Sequence, residues 1–129
     1  KLQIEARIIG DICLSHVIPA AVRYQNLLID NVRGFKDIFG DDYLTYCAAE
    51  MEALKAISGY INSISADVEL LVEARKKANK IENIAQRAKV YSREVKDMME
   101  KVRESADNLE MLIDNELWPL PKYRELLFF

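Results

Sequence analysis

Apolar residues recur at steps of three and four through nearly all of this sequence, with few residues able to stop a helix, and that pairing constrains the fold most. Between positions 42 and 114 there is no proline and one glycine, Gly59. Only a helix keeps apolar residues spaced by three and four on one face. The first such stretch carries Ile4, Ile8, Ile12, Ser15, Ile18, Val22, Ile29, Val32 and Phe39. It predicts a helix over about 2–39 with this stripe inward. Pro19 lies inside it, removes one backbone bond and crowds the carbonyl of Ser15. No loop-like cluster surrounds Pro19, so a kink rather than a break is expected there.

Gly40, Asp41 and Asp42 are the clearest punctuation: a glycine suited to end one helix, then two aspartates suited to cap the next. A second helix over about 42–78 follows, with Leu44, Cys47, Met51, Leu54, Ser58, Ile61, Ser65, Val68, Leu71 or Val72, and Arg75 on a stripe close to a heptad. The next boundary carries neither Gly nor Pro. Asn79 with Glu82, and Asn83 with Gln86, have the spacing at which a side chain satisfies the first free amides of a helix. An unbroken helix over 42–114 would exceed ordinary lengths and could bury its stripe only against another chain. A third helix over about 84–113 is therefore expected, with Ala88, Val95, Met98, Val102, Leu109 and Leu112 or Ile113 inward.

Helices of such length joined by short turns bury their stripes by lying side by side. The fold expected is all-α: an up-down-up antiparallel three-helix bundle with a short proline-containing C-terminal tail helix. One domain over 1–129 is expected, cut from something longer, because the chain opens at Lys1 already in helical pattern. Its composition, 50% hydrophobic and 30% charged, suits amphipathic helices.

A formal net charge of -3 is the wrong sign for a phosphate-backbone binder, so no nucleic acid is expected as a partner. No apolar run approaches the roughly 20 residues that span a bilayer. Cys13 and Cys47 make neither a disulfide framework nor a zinc site, and a reducing cytoplasm is the simplest compartment. His16 is the one histidine, which excludes a histidine pair or an imidazole metal site. Gly10, Gly34, Gly40 and Gly59 are too scattered for a phosphate loop. Glu50 with Glu52, and the set Glu94, Asp97, Glu100 and Glu104, read as solvated faces. Arg75, Lys76, Lys77 and Lys80 complement a helix C-terminus. No catalytic, cofactor-binding or metal-binding residue is assigned. Arg23, Tyr24 and Gln25, with Asn26, form a polar run past Pro19 that suits either solvent or a neighbouring domain.

After the third helix comes a tail holding the only tryptophan, Trp118, between Leu117 and Pro119. Pro119 and Pro121 favour an extended stretch and then a short helix carrying Tyr123, Leu126 and Leu127. The tail can fold over its own bundle or dock on another domain or subunit; Trp118, Tyr123, Leu126, Leu127 and Phe128 are its candidate contact residues.

The run Glu116-Leu117-Trp118-Pro119-Leu120-Pro121-Lys122-Tyr123-Arg124-Glu125-Leu126-Leu127-Phe128 resembles the ending of type III glutamine synthetases, the large bacterial form. The stretch from Ile4 to Arg7, and that from His16 to Gln25, resembles the helix after the catalytic domain in that family. Leu109 to Asp114 leads into the tail as its last long helix does. The resemblance implies a parent enzyme that ligates ammonia to glutamate through a γ-glutamyl phosphate, with ATP and Mg or Mn as cofactors, in a large double-ring homo-oligomer. None of the family's metal-binding or ATP-binding motifs has a match here. The fragment is then a non-catalytic packing domain whose partners are the catalytic domain and neighbouring subunits. The alternative is a free-standing helical adaptor that binds a partner helix in a groove.

Overall fold

The computed structural model describes residues 1–113, and within them the chain is helical with no strand. The elements are α1 (Leu2–Ile12), a π turn (Cys13–Val17), α2 (Ile18–Phe39), a 3-10 turn (Gly40–Asp42), α3 (Tyr43–Asn79), α4 (Ile84–Val90), a second π turn (Tyr91–Val95) and α5 (Lys96–Glu110). Two helices are long, α2 with 22 residues and α3 with 37. This corrects the expectation of three long helices, the first kinked near Pro19, since the first and third stretches are each divided by a π turn. The expected tail helix lies outside the described residues.

The first π turn has a local cause. Pro19 has no N–H to offer the carbonyl of Ser15 and its ring presses on that carbonyl. Just before it the helix widens, and the Ile18 amide reaches back five residues to the Cys13 carbonyl. The chain meets its proline by widening the turn before it.

At the α2 to α3 turn, Gly40 adopts φ 61°, and its amide bonds to the Lys36 carbonyl. A side chain is strained at that angle, so glycine is the residue that ends α2 here. Asp41 and Asp42 make no cap hydrogen bond. They sit at the positive end of α3, where a carboxylate is favoured by the helix dipole. One turn on, Cys47 leaves helical geometry at φ -124° and ψ 27°, and its thiol donates to the Tyr43 carbonyl at 3.2 Å. The other boundary falls at Asn83, whose side chain accepts the Gln86 amide at 3.0 Å. Asn79 is not a cap: it closes α3, and its Oδ1 accepts the Tyr91 hydroxyl.

Packing follows a heptad on α3, where Ile57, Ile64, Leu71 and Ala78 are all buried at seven-residue spacing. Against α3 pack α2, α5 and α1, and α1 also lies against α5. One core cluster joins Cys13, Val17, Ala21, Ile57, Ile64 and Val68 to Val102, Leu109 and Ile113. A second joins Ala6, Leu71 and Ala78 to Tyr91, Val95 and Met99.

The inward stripe expected for the first stretch is corrected. Ile4 and Ile8 are 64% and 50% exposed, and Ser15, Val22, Ile29 and Phe39 also face outward. The buried face is Ala6, Gly10, Cys13, Val17, Ala20 and Ala21. On α3, Leu44, Ser58 and Ser65 are exposed, and Ile57 and Ile64 take the core. Ala88 is exposed too, and Tyr91 and Met99 point inward in the third stretch. Each π turn resets the phase after it, and the close packing of α1 on α3 selects small residues: a Cβ on Gly10 would stand 3.6 Å from Val68.

Candidate functional site

The polar run after Pro19 does not stay together as one surface. Arg23 and Asn26 are exposed, whereas Tyr24 is half-buried and packs on the first core cluster. Gln25 Nε2 donates to Ser58 Oγ at 2.7 Å, tying α2 to α3. Two of the three candidate residues thus serve the fold. Trp118, Tyr123, Leu126, Leu127 and Phe128 lie outside the described residues.

Beside the Gln25–Ser58 bond runs an open groove of about 550 Å³, walled by Ile29, Leu54, Lys55, Gly59 and Asn62. A second hollow of about 240 Å³ lies between α1 and α3, with Gly10, Leu14, Val68, Val72 and Arg75 around it. A third, of about 480 Å³, opens between Leu2, Gln3, Ile84, Arg87 and Tyr91. The first and third are lined mainly by apolar surface, whereas Arg7, Asp11 and Arg75 make the second as polar as it is apolar. His16 is exposed on the first π turn, far from the carboxylates of α5 in sequence and outside every one of these linings. Among the described residues no three of His, Cys, Asp and Glu converge to hold a metal ion. No described helix is long and apolar enough to cross a membrane. Burial pushes the Cys13 thiol up to about 11, and burial with the Glu50 carboxylate raises that of Cys47. Both thiols are held in the inert form.

The turn between α2 and α3 carries a feature that the periodicity did not single out. Phe35 stacks on Phe39 at 6.0 Å and Phe39 on Tyr46 at 4.0 Å between centroids. The Lys36 ammonium stands 5.7 Å from the Tyr43 ring centre. Ile38, Leu44 and Tyr46 are exposed around this stack. The signal was legible as aromatic and branched residues crowded on both sides of Gly40, where a turn needs none.

The described residues thus form an all-helical body. The chain's first 36 residues match the family model described as the glutamine synthetase C-terminal domain. Over 129 residues, 99% of this chain, it is 45% identical to a glutamine synthetase of Bacteroides fragilis (strain YCH46), and the match covers 18% of that protein. It is 24% identical over 141 residues to a type-3 glutamine synthetase of Dictyostelium discoideum, again 99% of this chain and 18% of the relative. The chain spans less than a fifth of the length of these relatives.

Proposed function

We propose that this chain is the C-terminal helical domain of a type III glutamine synthetase, acting by contact and not by catalysis. The parent enzyme ligates ammonia to glutamate with ATP and Mg or Mn, in the cytoplasm, and the reacting groups belong to its preceding domains. The observation that carries this is the 45% identity to a glutamine synthetase over 99% of the chain. The domain packs on the catalytic domain and on neighbouring subunits of a homo-oligomer. Arg23, Tyr24 and Gln25, together with the tail residues Trp118, Tyr123, Leu126, Leu127 and Phe128, are the candidate contact residues. The residues 2–39, 43–79 and 84–110 act as three antiparallel stretches of one domain. Gln25 opposite Ser58 and Gly10 opposite Val68 support this for the first two, since position rises along one as it falls along the other.

The purified chain is expected to form no glutamine from glutamate, ammonia, ATP and Mg²⁺. Turnover above an enzyme-free blank would contradict the reading. A free-standing adaptor is favoured by one observation, the open groove beside Ile29 and Leu54. An open reading frame that begins near Lys1 would support the adaptor, and a long catalytic frame upstream would end it.

A further inference from the structure

The hollow between α1 and α3 sets charges from two helices against apolar walls. Arg7 and Asp11 of α1 and Arg75 of α3 line it together with Leu14, Val68 and Val72, around a volume of about 240 Å³. On α1 the lining positions 7, 10, 11 and 14 fall at steps of three, one and three. On α3 the positions 68, 71, 72 and 75 repeat those steps, so each helix turns one continuous face to the other. Of the basic run at the end of α3, Arg75 alone takes part; it is half-buried, whereas Lys76, Lys77 and Lys80 are exposed and outside the lining. Among the described residues, Arg7, Asp11 and Arg75 make no ion pair and no side-chain hydrogen bond. Arg7 and Asp11 are four apart on one helix, a spacing at which opposite charges can pair, yet here they do not.

Register separates the two ends of the hollow. Gly10 stands opposite Val68 and Gln25 opposite Ser58, so position rises along the first stretch as it falls along α3. Arg7 and Arg75 therefore lie on one side of the Gly10–Val68 approach, and Asp11 and Leu14 on the other. Two guanidiniums at one end repel each other until an anion stands between them, and apolar walls strengthen that attraction by lowering the local dielectric. The planar fork of a guanidinium suits a carboxylate. Two arginines and one aspartate give the lining a charge of +1, which a monoanion cancels and a dianion reverses. The volume lies below the roughly 300–1,000 Å³ of pockets for drug-sized ligands, so the occupant is small. We propose that this hollow binds a small aliphatic monocarboxylate, its carboxylate on Arg7 and Arg75 and its apolar body against Leu14, Val68 and Val72. The hollow plays no part in the contact reading above, so either can fail alone.

The probe is 3-methylbutanoate, titrated at neutral pH into the 129-residue chain, with amide and methyl chemical shifts as the readout. Its uncharged isostere 3-methylbutanamide and inorganic phosphate are the comparisons, and circular dichroism checks that each variant keeps its helix. The expected result is saturable, millimolar binding that moves the Gly10 amide and the Val68 and Val72 methyls, about tenfold tighter than for the amide or phosphate. Arg7→Gln and Arg75→Gln are each expected to weaken it about tenfold. Asp11→Asn removes the opposing charge and is expected to tighten it by about twofold to fivefold. Should Arg75→Gln lose helix, Arg75→Lys and the exposed Arg7→Gln carry the test. Absence of saturable shifts at these three residues, equal affinity for the amide, or indifference to both arginine substitutions would overturn the proposal. So would binding to this chain that vanishes in the enzyme containing it, where a carboxylate of the protein itself then fills the hollow.

Discussion

The Tyr91 hydroxyl donates to Asn79 Oδ1 across the turn between α3 and α4, with the Arg75 carbonyl at 3.5 Å as a weaker acceptor. Tyr91 is buried at the first position of the second π turn, so its ring fills the core while its oxygen ties two helices together. Tyr91→Phe keeps the ring and loses the bond. Asn79 is exposed and can turn to water, so the expected loss is about 1 kcal/mol of unfolding free energy. Urea denaturation followed by circular dichroism measures it, with an unchanged denaturant slope.

The phase of the first helical stretch gives a paired test. Ile64→Ala removes a fully buried side chain from the α3 seam and is expected to cost about 2–5 kcal/mol. Ile8→Ala, at a half-exposed position, is expected to change stability by no more than about 0.5 kcal/mol. Equal losses at the two sites would restore the stripe expected from periodicity.

That stripe shows where the sequence was readable and where it was not. Gly40 and Asn83 could be placed because each does a local job, a positive φ and a cap to the Gln86 amide. The inward face of α1 could not, because Ala6, Gly10 and Cys13 are chosen for closeness to α3 rather than for size. Ile4 and Ile8, the larger residues, dominate any hydrophobic pattern yet lie outside. The π turn at Tyr91–Val95 shifts the phase of the residues after it, where Met99 rather than Met98 takes the core. The candidate surface was legible by type alone: Gln25 and Tyr24 look like free polar residues until Ser58 and the core are seen to hold them.

Two glycines of α2 and its closing turn are expected to respond in opposite directions. Gly40→Ala forces a side chain into φ 61° and is expected to destabilise by about 1–2 kcal/mol. Gly34→Ala meets nothing within 4 Å and is expected to stabilise α2 by up to about 1 kcal/mol. Thermal unfolding of the two variants side by side decides this.

Alkaline pH is expected to weaken the fold through Cys13. The folded thiol ionises at about 11 because burial disfavours the thiolate, while the unfolded thiol ionises near the ordinary 9.0. Stability from the neutral thiol is therefore complete below about 9 and is lost as pH rises through about 11. Cys13→Ala should flatten this part of the profile, measured as urea midpoints between pH 8 and 11. Iodoacetamide at pH 8 should label the folded thiol far more slowly than the urea-unfolded one.

Contact and catalysis separate most directly in the enzyme that contains this domain, cut after Asn115. Oligomer mass by light scattering, thermal stability, and kcat per intact active site are measured together on cut and uncut enzyme. The account predicts a smaller oligomer or a lower Tm, with kcat per intact site unchanged. A fall in kcat with oligomer mass and Tm both preserved would contradict it.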